Sequence, residues 1–334
     1  MSRTETVKNN LVVILGPTSS GKTRIAVALA AKFGGEIVSA DSRQVYRGMD
    51  VGTGKDLGEY NYQLPITNYK LNSKLKKAKN KTEIIKVPYH LIDVAEPKEI
   101  FDLAKYKKLA EAAIDDIISR GKLPILVGGS GLYLQAVVDG YRLANRGADR
   151  EMRMKLERLD REELFKLLGK IKPKLAEQLN QSDRNNKHRL MRYLEIIEAG
   201  EEVLRKPRGE KKYHTLILGL DRSTAELDQR IQYRLLERLE KEAMVEEVKR
   251  LYDQGVDWKR LEGFGLEYRF IAKHLQGKLT YEEMVAQLFR AIKKFARRQR
   301  TWLRRWERQG AQIHRVKNQQ GAEKLVTKFL RAGS

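Results

Sequence analysis

Eight residues, Gly16-Pro-Thr-Ser-Ser-Gly-Lys22-Thr23, constrain this chain more than any others. They match G-x-x-x-x-G-K-[ST], between an apolar run at Leu11–Leu15 and a segment of helical spacing at 23–33. In that strand–loop–helix context the glycines let successive backbone N–H groups curl around an anion. The helix N-terminus adds the positive end of its dipole. Lys22 supplies a point charge, and the Thr23 hydroxyl suits Mg²⁺ held against bound phosphates. Gly16, Thr18, Ser19, Ser20, Gly21, Lys22 and Thr23 are therefore candidates to bind a polyphosphate, whose identity the loop does not specify.

The run Leu-Val-Val-Ile-Leu reads as a strand buried on both faces, as parallel strands are. The helix after the loop stops at Gly34-Gly35, and residues 36–40 read as a second strand that finishes at Asp41. A helix over 100–119 leads into a third buried strand, 122–127, and then into Gly128-Gly129-Ser130-Gly131. Strands alternating with helices predict an α/β fold with a P-loop NTPase-like parallel sheet flanked by helices. After about Gly140 the character changes: 150–204 is helical in pattern, 213–220 restores one strand, and helices follow over 224–254 and 281–309. We therefore expect a catalytic core of residues 1–142 and 207–334, interrupted by an all-helical insertion domain at 143–206.

Two sites beyond the P-loop carry chemistry. Asp41 stands at the ligand-facing edge of such a sheet; with Gln44 three residues on, it also fits a helix capping box. Ser130 and its neighbouring N–H groups suit charge that develops on a reacting group. A P-loop kinase carries a strand-terminal carboxylate for Mg²⁺, and here Gly128 occupies that place. This leans away from ATP hydrolysis and leaves Asp41 free to act as a base.

Charge gives the partner class. There are 67 Lys+Arg against 44 Asp+Glu, a net +23, which draws the chain to nucleic acid or other polyanions. Residues 68–86 hold seven lysines and one glutamate, and read as a surface hairpin or a mobile loop. Residues 289–308 hold nine Lys/Arg and one glutamate, with Trp302 and Trp306 on one helix face. We read the tryptophans as core and the arginines as functional. With no cysteine, disulfides, Cys-ligated metal and a thiol nucleophile are excluded. No signal peptide or membrane-spanning run is visible. A cytoplasmic protein is expected.

These stretches together resemble the tRNA dimethylallyltransferases. The resemblance is carried by GPTSSGKT at 16–23, DSRQVYRGMDVGTGK at 41–55, His90-Leu-Ile-Asp93, GGSGLY at 128–133 and RRQRTWLRRW at 297–306. It runs in family order across nearly the whole chain. It implies transfer of a dimethylallyl group, from its diphosphate, to the exocyclic amine of the adenine 3′-adjacent to the anticodon. Asp41 would be the general base, with Ser130 and Arg230 also catalytic, and Thr18 to Thr23 would bind the donor's diphosphate with Mg²⁺. Asp41, Ser42, Arg43, Gln44, Ser130, Arg153, Arg298 and Gln299 would contact the tRNA anticodon stem-loop, and the insertion would help to hold it. A monomer is implied. Asp56 stands where the family usually has proline. The alternatives are a P-loop small-molecule kinase, a prenyltransferase acting on free AMP, ADP or ATP, and a non-catalytic RNA-binding protein.

Overall fold

The computed structural model describes residues 9–65, 82–143, 150–201, 203 and 209–332. In chain order the first elements are β1 (Asn10–Leu15), α1 (Lys22–Phe33), β2 (Gly35–Ser39), β3 (Asn61–Pro65), β4 (Thr82–Lys86) and β5 (Tyr89–His90). Then come α2 (Leu103–Ser119), β6 (Leu123–Gly128) and α3 (Gly131–Val138). Five helices follow: α4 (Arg150–Arg158), α5 (Arg161–Ile171), α6 (Pro173–Gln178), α7 (Gln181–Arg184) and α8 (Lys187–Glu198). The chain ends with β7 (His214–Leu220), α9 (Thr224–Glu240), α10 (Met244–Asp253), α11 (Trp258–Gly263), α12 (Leu266–Leu275), α13 (Tyr281–Arg308), β8 (Ile313–Val316) and α14 (Gln319–Arg331).

Among the described residues six strands form one sheet in the order β5-β2-β6-β1-β7-β8, and every neighbouring pair is parallel. Side-chain alternation along β1 feeds two cores. Leu11, Val13 and Leu15 join the core that takes in α2, α3 and α9–α13, while Val12 and Ile14 join the core under α1 and α14. The sheet is thus covered on both faces, which is why its strands read as continuous apolar runs. β1 lies at the switch point, with β6 on one side and β7 on the other, so the loops after β1, β2, β6 and β7 open at one carboxyl edge.

The chain divides into two compact units, residues 1–140 with 211–334, and residues 141–210. The second has its own apolar core, including Leu156, Leu164, Leu168, Leu190 and Leu194. Its α5 begins with a capping box between Asp160 and Glu163.

Two expectations change. The helix read over 224–254 is two, α9 and α10, because Ala243 takes a left-handed φ of 55°. No helix follows Asp41, so there is no helix there to cap; residues 42–45 form a turn. The lysine-rich 68–86 stretch lies mostly outside the described residues, but its end, β4, pairs antiparallel with β3. Among the described residues no helix is long and apolar enough to cross a membrane.

Gly128 has a steric reason to lack a side chain. A Cβ there would collide with the Ala40 carbonyl, where β2 and β6 converge just before Asp41. Gly128→Ala should therefore cost about 1–3 kcal/mol through overpacking, read as a lower midpoint in urea unfolding. An unchanged midpoint would mean that the strand ends are loosely packed.

Candidate active site

The loop from Gly16 to Gly21 joins β1 to α1. Gly21 adopts φ 84° at the N-cap of α1, a conformation that glycine takes without steric cost. A Cβ at Gly16 would lie 2.7 Å from Ser20 Oγ. That hydroxyl is fully buried beneath the loop without a hydrogen-bond partner. Thr18, Lys22 and Thr23 line a cavity of about 410 Å³, while Ser19 and Gly21 line a neighbouring groove of about 900 Å³. The loop therefore turns different residues to its two sides.

Gln299 fixes the loop from above. Its side-chain oxygen accepts from the Thr18 N–H and its amide nitrogen donates to the Gly129 carbonyl, both at 2.9 Å. One amide on α13 thus ties together the loops that leave β1 and β6.

The turn after β2 supplies the opposite wall. Asp41 accepts from the Arg43 N–H at 2.8 Å, an Asx turn that holds its carboxylate at the cavity. The Ser42 N–H donates to Ser130 Oγ at 3.2 Å. Gln44 accepts from the Ser39 hydroxyl and donates to the Gly54 carbonyl, both at 2.9 Å. Asp41, Ser42, Arg43, Gln44, Ser130, Arg298 and Gln299 all line this same cavity. Arg230 instead lines the groove with Ser19 and Gly21. Arg153 lies in the other unit, on α4, within 3.6 Å of Glu157 and 3.7 Å of Glu195.

On α13, Trp306 is buried and its indole N–H donates to Asp139 at 3.2 Å. Trp302 is half-buried, while Arg297, Arg298, Arg304 and Arg305 are exposed.

Several residues that shape the site were not singled out in the sequence. Arg234 and Arg238 line the cavity, and Arg234 lines the groove as well. With Arg230 they form a row of arginines four apart on α9, a spacing visible in the sequence as one helix face. Glu267, in the first turn of α12, adds a second carboxyl to the cavity, and burial raises its proton affinity. Glu247, on α10, accepts from the N–H groups of Asp50 and Val51 at 2.8 Å, from Gly52 at 3.0 Å and from the Tyr268 hydroxyl at 2.6 Å. Lys55 is buried and bridges Asp50, at 2.6 Å, to Asp93, and it donates to the Tyr46 carbonyl at 2.8 Å. No local pattern marks a glutamate that binds a loop about 195 residues away.

The electrostatics favour an anion. Burial pushes Lys22 down to about 8, Asp41 opposes the change and Arg234 adds to it. Burial and the adjacent Arg238 hold Arg234 down to about 10. Cations crowded together and partly stripped of water gain from an incoming anion.

The fold and the cavity define a P-loop-like α/β enzyme in which a phosphate-type cradle and the Asp41 carboxylate line one cavity. Residues 74–306 match the family model described as IPP transferase, and residues 9–64 match the one described as isopentenyl transferase. The chain belongs to the IPP transferase family. It is 44% identical over 305 residues to tRNA dimethylallyltransferase 1 of Geotalea daltonii, covering 91% of this chain and 90% of that protein. It is 42% identical to tRNA dimethylallyltransferase 1 of Syntrophus aciditrophicus, covering 91% and 92%. The fold is similar to that of the full-length tRNA isopentenylpyrophosphate transferase of Bacillus halodurans, with TM-score 0.63, 32% identity, and 98% and 97% of the two chains covered. It is also similar to a eukaryotic dimethylallyltransferase acting on tRNA, with TM-score 0.70, 25% identity, and 96% and 77% covered.

Two outcomes follow from this geometry. Glu247→Gln replaces two acceptor oxygens with one and sets an amide against backbone donors. It should cost about 2 kcal/mol in urea unfolding, and a change within error would show that the loop is held elsewhere. Burial lowers Lys22 to about 8, so its charge is lost progressively as pH rises through that value. Affinity for inorganic diphosphate, measured by calorimetry from pH 6.5 to 9.5, should therefore fall as pH rises through about 8. Lys22→Arg should lose that step, and an identical profile in both proteins would remove Lys22 from the anion site.

Proposed function

We propose that this chain modifies tRNA by prenyl transfer, from dimethylallyl diphosphate to the exocyclic amine of the adenine 3′-adjacent to the anticodon. The observation that carries this reading is one cavity that holds both Lys22 with Thr23 and Asp41 with Gln44. An anion cradle facing a carboxylate suits a reaction that expels diphosphate while it deprotonates an amine.

In the step proposed, a bond forms between the adenine N6 and C1 of the dimethylallyl group, and the C1–O bond to the diphosphate breaks. Asp41 takes the proton that N6 loses. An adenine amine is a poor nucleophile because its lone pair is delocalised, and a positioned base contributes about 10²–10⁴-fold. Lys22, the N–H groups of the P-loop and Arg230 stabilise the charge on the leaving oxygens. The Thr23 hydroxyl, which has no hydrogen bond among the described residues, fits a Mg²⁺ shared with the diphosphate. Such an ion would neutralise part of the leaving group's charge. Ser130 holds the turn that carries Asp41 through the Ser42 N–H.

Ser42, Arg43, Gln44 and Arg298 contact the flipped adenine and its neighbours, which leave a loop stack at low cost. Gln299 acts chiefly by fixing the P-loop. Arg153, in the helical unit, contacts the tRNA backbone. The exposed arginines of α13 favour a polynucleotide acceptor over a free adenine nucleotide. A kinase would need a metal-binding carboxylate at the end of β6, where Gly128 has no room for one. The activity would be cytoplasmic and the protein a monomer.

Labelled dimethylallyl diphosphate, Mg²⁺ and unmodified tRNA test this directly. The wild type should label the tRNA, and Asp41→Asn should label it at least about 10²-fold more slowly. Label entering AMP instead of tRNA, or ATP consumed with no label transferred, would overturn the reading.

A further inference from the structure

Asp56 begins a short helical turn, Leu57–Tyr60, at the position where an aspartate ordinarily accepts from the N–H groups of the turn. It makes no such bond and adopts a left-handed φ of 45°, which aspartate and asparagine tolerate better than most residues with a Cβ. Its carboxylate points elsewhere. One oxygen accepts from Arg238 at 3.0 Å and the other is ion-paired with Arg234.

These two guanidiniums are the inner members of the arginine row on α9. Arg230, the outer member, sits beside the P-loop, with Nη1 4.0 Å from where a Cβ on Gly21 would lie. Asp56 shares the groove with Ser19, Gly21, Arg230 and Arg234. Gly54 lets both inner guanidiniums approach, because a Cβ there would meet their terminal nitrogens. Arg238 is only 10% exposed in its side chain, against 28% for Asp56. Two like charges are thus crowded beside a diphosphate cradle, and Asp56 is the carboxylate that bridges both of them, with Glu242 3.9 Å from Arg238 alone.

Building on the diphosphate chemistry proposed above, we propose that Asp56 is a built-in competitor for the diphosphate. It neutralises Arg234 and Arg238, both of which line the cavity, when no diphosphate is bound there, and it limits how tightly those arginines retain the product. Diphosphate carries about three negative charges, and an unopposed arginine pair would hold it strongly. A carboxylate already on the pair lowers the net attraction without removing the donors. Asp56 touches the arginines rather than the reacting atoms, so it is a positioning residue that sets product release.

The test compares wild type with Asp56→Asn and Asp56→Gly, two residues that accept a left-handed backbone. Thermal unfolding first shows whether each variant folds. Inorganic diphosphate is then titrated calorimetrically, with and without Mg²⁺, and transfer to tRNA is followed in single and multiple turnovers. Both variants should bind diphosphate about ten-fold tighter, the scale of one close charge pair. Their single-turnover rates should stay near wild type while kcat falls and product inhibition deepens. Equal or weaker binding would overturn the inference and make Asp56 a structural ion-pair partner. A loss of binding confined to Mg²⁺ would also overturn it, making Asp56 a metal ligand. If the wild type fails to label tRNA, the proposed function falls, whereas tighter binding in the variants would still establish the competition at the arginine pair.

Discussion

The site depends on one buried carboxylate. Glu247 gathers three consecutive N–H groups and a tyrosine hydroxyl, and in doing so it fixes a loop with almost no regular structure of its own. The loop from Asp41 to Asp56 makes no continuous strand or helix from which to take its shape. A carboxylate taken from water is costly unless hydrogen-bonded, and four donors offset that cost while leaving the loop few other positions. Lys55 does the same with the opposite charge, bridging Asp50 to Asp93 from a buried position. Gly52 lies so close to the Tyr268 ring that a Cβ would approach it to 2.8 Å. With the loop fixed at its middle and far end, its first residues, Asp41 to Gln44, are held at the cavity wall.

The remaining walls follow the same logic of linking separate loops through single polar groups. Gln299 joins the loops after β1 and β6, Ser130 joins those after β6 and β2, and Gln44 joins the start of the long loop to Gly54. Each linking group is a side chain bonded to backbone, Gln44 also to the Ser39 hydroxyl, so the cavity edge is set by hydrogen bonds and its floor by the sheet. Burial then gives the cations their character. Lys22, Arg234 and Arg238 are all held below their ordinary proton affinity, chiefly by desolvation. Their arrangement stores an unmet demand for negative charge, met in part by Asp56.

What the sequence made legible follows from what each residue answers to. The central strands and the P-loop are local: parallel strands buried on both faces read as apolar runs, and the loop needs its glycines in order. β8 and α14 were missed because Ile313–Val316 is a short edge strand containing His314 and Arg315, with no apolar run to mark it. The capping-box pattern at Asp41 and Gln44 misled because Gln44 turns to Ser39 and Gly54 instead. Asp41, Ser130 and Arg298 were singled out through motif and resemblance, and all three line the cavity. Glu247 was not singled out, and Asp56 stood out only as a departure from the family pattern, because their partners are set by tertiary packing across about 180–200 residues, and no spacing rule reaches that far.

The most direct test of this account is a crystal structure with inorganic diphosphate and an unmodified anticodon stem-loop bound. It should show the diphosphate on the N–H groups of the P-loop beside Lys22, and the amine of the flipped adenine within hydrogen-bonding distance of Asp41. An adenine bound away from Asp41, or a diphosphate away from the P-loop, would contradict the claim that one cavity brings the base and the leaving group together.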